Sequence, residues 1–139
     1  MSISINNELV QSFEKAGCNL IDNVKNAVSE FYRNPPNDWN TWETWRTPLL
    51  WETVALVNLE QYQKMIKAAA TSFQAGDNKA ITLAAASYKG VSRDMDFDMR
   101  WMTKGSRNAV NDAVDHIAGI ADRIHRLGHA LLTAGSGET

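Results

Sequence analysis

Cysteine is almost missing from this chain of 139 residues: Cys18 stands alone. That excludes an intrachain disulfide and suits a reducing compartment, so the cytoplasm is the expected location. Proline is scarce too, and Pro35, Pro36 and Pro48 all fall in one short stretch, which leaves long helices free to form on either side of it. No charge of one sign dominates, since fourteen basic against sixteen acidic side chains give a net −2. The signs stay mixed along the chain, so no basic footprint for nucleic acid arises. No stretch approaches the roughly 18 apolar residues of a membrane span. The opening Met-Ser-Ile-Ser-Ile-Asn-Asn-Glu lacks the basic and apolar regions of a secretory signal. These absences leave a single soluble domain over residues 1–134, with glycine-rich 135–139 as a flexible tail and neither nucleic acid nor membrane as partner.

What the chain has is helical periodicity. Phe13, Gly17, Leu20, Val24, Ala27 and Phe31 recur at steps of four and three, predicting a first helix over 5–32 that stops at Arg33-Asn34-Pro35-Pro36. Residues 37–45 read as a short tryptophan-rich helical connector. Thr47 as N-cap with Pro48 at the first helical position then opens a second helix over 48–75, striped by Leu49, Leu56, Ile66, Ala70 and Phe73. Gly76-Asp77 combines a left-handed stop with an N-cap, so a third helix over 78–104 returns antiparallel, carrying Ile81, Ala85, Tyr88, Met95, Met99 and Met102, with Gly90 as its weak point. Gly105-Ser106 repeats that signal before a fourth helix over 107–133 with Val110, Ala113, Ile117, Ile120, Ile124, Leu127 and Leu131. The expected fold is all-α, an up-down-up-down antiparallel four-helix bundle. Measured from the Gly76 turn, Ala68-Ala69-Ala70 faces Ala84-Ala85-Ala86, and Trp51 falls level with Trp101 at the far end.

Asp94, Asp96 and Asp98 alternate with Met95, Phe97 and Met99 in strand period. A lone strand has no partner here and Asp is a poor strand former, so the segment is assigned to the third helix, with Asp96 and Arg100 as an i,i+4 pair. A calcium loop is excluded, because Met99 stands where such a loop needs glycine and Gly105 where it needs a bidentate Glu.

Few constellations carry chemistry. Asp122, His125 and His129 share one side of the fourth helix, opposite its apolar stripe, with Arg126 among them to repel a cation. A solvated face is the simpler reading, and no metal or other cofactor is expected. The Arg123-to-His129 spacing resembles the loose Arg and His pattern of helical ribonucleases of the HEPN type, which would polarise an RNA phosphate. Ile124 replaces the polar residue usual after that arginine, and no basic groove accompanies the pair. Cys18 beside the Gly17 and Ile21 face reads as a buried, inert thiol. No Gly-x-Ser-x-Gly elbow or phosphate-cradling glycine loop occurs, so the chain is read as non-enzymatic.

Five tryptophans remain to be explained. Trp39, Trp42 and Trp45 either cap the core or leave one or two indoles exposed as anchors, with Arg46 beside them and a second apolar face at Phe97 and Trp101. The expected function is that of an adaptor, inhibitor or small assembly subunit that binds another protein, or a second copy of itself, through Trp39, Trp42, Trp45, Arg46, Phe97 and Trp101. The alternative is a metal- or phosphate-dependent enzyme using Asp122, Arg123, His125 and His129.

Overall fold

The computed structural model describes residues 5–35, 42–88, 91 and 98–137, apart from the side chains of 42–45 and 131–137. It is an all-α bundle. Helix α1 spans Asn7–Arg33, and Asn6 caps it by accepting from the Leu9 N–H at 2.8 Å. Its expected stripe is buried throughout, from Phe13 to Phe31, and Val10 extends it by a turn.

Helix α2 (Trp42–Leu50), a π turn (Trp51–Ala55) and α3 (Leu56–Gln74) follow one another without interruption. The expected start at Thr47 and Pro48 is therefore corrected. Pro48 lies inside α2 and is fully buried. An interior proline removes one backbone bond at a cost of about 3 kcal/mol, which burial of the ring, and of Trp51 three residues on, offsets. The π turn answers the residue spacing. Trp51, Ala55 and Leu59 are all buried at successive steps of four, and a regular helix would carry that stripe round by about 40° per step. One wider turn, in which Leu56 N–H donates to the Trp51 carbonyl, takes up the drift.

The hairpin after α3 forms as the sequence indicates. Gly76 adopts φ 98°, Asp77 N–H reaches back to Ser72 O at 2.9 Å, and the Asp77 side chain accepts from Lys79 N–H at 2.9 Å to open α4, Asn78–Ala86. Helix α4 ends at Ser87, and residues 98–103 form turns, so the third helix does not reach 104. The Asp98 side chain turns back onto the Arg100 N–H at 2.8 Å, a local bond that competes with helical pairing there. Arg100 pairs with the Asp98 carboxylate at 2.7 Å, a partner two residues away. Gly90, Asp94, Met95, Asp96 and Phe97 lie outside the described residues.

Helix α5 spans Lys104–Gly137. Its cap is Thr103, whose hydroxyl accepts from Ser106 N–H at 3.2 Å, so Gly105-Ser106 belongs to the first turn instead of preceding it. The helix also continues past 133, where the glycines suggested an end. Val110, Ala113, Ile117 and Ile124 are buried, while Ile120 and Leu127 are half-buried; the Leu131 side chain lies outside the described residues.

Polar contacts at both ends establish the alternating helix directions. Gln74 donates to Asn7 at 3.0 Å, joining the end of α3 to the start of α1. Ser106 donates to Glu30 at 2.6 Å, joining the start of α5 to the end of α1. In the interior, Tyr62 donates to Ala84 O, and Tyr88 donates to Val114 O at 3.0 Å, so buried hydroxyls link α3 to α4 and the residue just after α4 to α5. Each satisfied O–H lets a large ring be buried without an orphaned donor.

Two close approaches tighten the ring. A Cβ at Gly128 would stand 2.0 Å from Thr82 Oγ1, and one at Gly17 would stand 1.8 Å from Gln63 Oε1. Gln63 is buried and donates to Glu14 O at 2.9 Å, while its Oε1 has no hydrogen-bond partner and lies against the Gly17 backbone.

The Gly17 contact sets an expectation for urea unfolding. Gly17→Ala costs about 1–3 kcal/mol by overpacking. In a Gln63→Ala background the same change is neutral or stabilising by up to about 1 kcal/mol, because alanine is the better helix former. An equal cost in both backgrounds would show that the amide is not the obstacle. Tyr62 sets a second. Burial, reinforced by the charge of Tyr88, raises its phenol well above the ordinary value of 10.0. A raised acid stabilises the fold fully below the unfolded value, and that contribution is lost as the unfolded chain ionises first above about pH 10. The urea midpoint therefore falls more steeply between pH 9 and 11.5 in the parent than in Tyr62→Phe; parallel curves would refute the assignment.

Candidate functional site

The aromatic end of the bundle is the most elaborated part of the described chain. Trp51 is buried on the π turn and meets Trp101 at 6.3 Å between centroids with planes 61° apart, so the two indoles that the hairpin register set level do touch. Phe31, from the last turn of α1, packs edge-on against Trp101 at 5.8 Å and 88°. Both indole N–H groups donate to one acceptor, the Asp98 carbonyl, at 3.1 Å from Trp51 and 2.8 Å from Trp101. A carbonyl has two lone pairs, so both bonds are satisfied at once. The Asp98 carboxylate meanwhile holds the Arg100 guanidinium and backbone, and these bonds keep it below the usual carboxylate range.

This geometry relocates the expected anchors. Trp101 is half-buried in a turn, with one edge committed to Phe31 and Trp51, and not on a second face of a long helix. Trp39 and Phe97 lie outside the described residues. Trp42 and Trp45 belong to α2, and their side chains lie outside the described residues. Arg46 is exposed. Beyond it the outer side of the same rod carries half-buried Leu50, then Val54 and Val57 at 37% and 44% exposure. Arg46, Leu50, Val54 and Val57 follow steps of four, four and three, a helical spacing, with Leu50 and Val54 each one residue before buried Trp51 and Ala55. Sequence reasoning missed the two valines. Their β-branched apolar character signals burial, and only the observed phase of the rod turns them outward.

Tyr32 stands near the same end, 41% exposed, and donates to Glu52 at 2.9 Å. Partial burial, followed by the bond to that carboxylate and its charge, raises the phenol above its ordinary value.

Cys18 is exposed, which corrects the buried-thiol expectation. It follows buried Gly17 on the rim of a groove between α1 and α3, about 340 Å³ in volume, floored by Ile21 and Gln63 and edged by the Lys25–Glu60 pair at 3.5 Å. Gln63 Nε2 donates to Cys18 Sγ at 3.3 Å.

On α5, Asp122, Arg123, His125, Arg126 and His129 are all exposed, so the side opposite the apolar stripe is the solvated one, as the spacing indicates. Arg126 pairs with Asp122 at 3.1 Å, and the rings of His125 and His129 stack at 6.1 Å with planes 27° apart. Among the described residues no group of three or more His, Cys, Asp or Glu converges as metal ligands, and no helix is long and apolar enough to cross a membrane.

Compared with family models, curated proteins and solved structures, the chain matches none.

The shared carbonyl makes Trp51 testable. Trp51→Phe keeps the aromatic bulk but loses a buried hydrogen bond, and costs about 1–3 kcal/mol in denaturant unfolding. Trp51→Ala costs about 3–5 kcal/mol, as for other buried large aromatics. Equal, small losses in both would show that neither the ring nor its N–H closes this end.

Proposed function

We propose that this chain is a non-enzymatic interaction protein, an adaptor, inhibitor or small assembly subunit, that binds another protein through the outer face of the rod formed by α2, the π turn and α3. The supporting observation is the pair of exposed valines, Val54 and Val57, continued by half-buried Leu50 and exposed Arg46. Apolar side chains in a line with an arginine at its end are the composition of a helix-presented binding face, in which a few central contacts carry most of the energy. Rigidity favours the reading, because the rod is held from behind by Trp51 and Tyr62 and little ordering cost falls on binding. An exposed free thiol at Cys18 suits a reducing compartment, and we place the protein in the cytoplasm.

The test compares the parent with a Val54→Lys, Val57→Lys variant in cross-linking and affinity capture from the native host, after sedimentation has established whether the chain binds itself. A specific partner retained by the parent and lost by the variant is expected, with a binding loss of about 2 kcal/mol or more. The denaturant midpoint moves by no more than about 0.5 kcal/mol equivalent, since the changes are on the surface. Equal capture by both proteins would overturn the assignment of this face.

A further inference from the structure

We infer that His125 and His129 form a chelating site for a borderline divalent transition metal, such as Zn²⁺ or Ni²⁺, on the outer face of α5, away from the proposed binding rod. Residues four apart on a helix lie one above the other, which is the spacing at which two imidazoles share an ion. Here the rings already face each other, 6.1 Å apart and 27° from parallel. Both side chains are exposed, so side-chain rotation suffices to bring one nitrogen of each to the about 2.0–2.1 Å that zinc requires.

Electrostatics do not oppose the site as the sequence suggests. Arg126, which lies between the two histidines in the chain, is drawn onto Asp122 at 3.1 Å, and the carboxylate offsets its charge. Room is present as well. A groove of about 390 Å³ between α4 and α5 has Asp122 and His125 on its lining above Ala85, Ala118 and Ala121, and it leaves space beside His125 for a further donor on the metal. No third acidic, histidine or cysteine ligand joins the pair among the described residues. The chain therefore supplies two nitrogens, and water or an external donor completes the coordination. Two imidazoles select zinc, nickel or copper over magnesium and calcium, which prefer oxygen.

The test is titration of the Cys18→Ser protein with Zn²⁺ and Ni²⁺ by calorimetry and equilibrium dialysis, the serine removing the one competing thiol. One metal per chain, or one per two chains if a second copy completes the site, is expected. Either His125→Ala or His129→Ala weakens binding by about tenfold or more. His116→Ala, which removes an exposed histidine of the same helix, leaves it unchanged. Zn²⁺ raises the thermal midpoint of the parent and not that of the double variant, because the ion binds only the folded arrangement. Mg²⁺ has no effect on either. Zinc and nickel binding no tighter in the parent than in the double variant, or binding equally sensitive to His116→Ala, would overturn the inference. The double variant folds normally, since both positions are on the surface, and a matching denaturation curve verifies it.

Discussion

A buried indole must find an acceptor for its N–H, and much of this bundle is arranged around that requirement at Trp51. The ring is too large to expose and its donor too costly to leave unpaired. The π turn carries the side chain inward, and the Asp98 carbonyl, forty-seven residues further along the chain, meets it at 3.1 Å. That single oxygen also takes the Trp101 N–H. The turn over 98–103 is thereby fixed against the end of the rod, and α5 starts where Thr103 can cap it and Ser106 can reach Glu30. Position follows position, from one buried donor and its acceptor to the entry point of the last helix.

The sequence made some of this legible and hid the rest for identifiable reasons. The Gly76-Asp77 turn was readable because a positive φ and an N-cap each demand a particular residue, and the two occur together. The stripes of α1 and α5 were readable because a four-and-three repeat has one helical meaning. Pro48 was misplaced because proline rules describe the backbone alone, whereas here its burial beside Trp51 decides the outcome. The third helix was drawn too long because Met99 and Met102 continue an apolar rhythm; that rhythm persists, with Met102 buried and Met99 half-buried, on turns instead of a helix. Burial pattern and backbone conformation separate over 98–103.

The candidate surfaces were less legible than the fold. Cys18 seemed buried because it adjoins Gly17, yet one residue along a helix is about 100° of rotation, enough to move a side chain from the core to the rim. Val54 and Val57 drew no notice in the sequence, because nothing in their spacing marks an apolar residue as outward-facing. The polar face of α5 was placed correctly on its solvated side, but the pairing of Arg126 with Asp122 could not be read from spacing that equally allowed Asp122 to face the histidines. Sidedness follows from a one-dimensional pattern. The choice among neighbours on one side does not.

The contact between Glu30 and Ser106 has one more consequence, for the order in which the chain's freedom is lost. Tyr62 and Ala84 are twenty-two residues apart, whereas Glu30 and Ser106 are seventy-six apart. Closing the longer loop unaided costs about 1 kcal/mol more of chain entropy. Joining α3 to α4 first shortens the flexible path that remains, so the seam between α1 and α5 closes at a lower entropic cost once the hairpin exists. The first and last helices of the chain thus pair more readily because of a two-residue turn that neither of them contains.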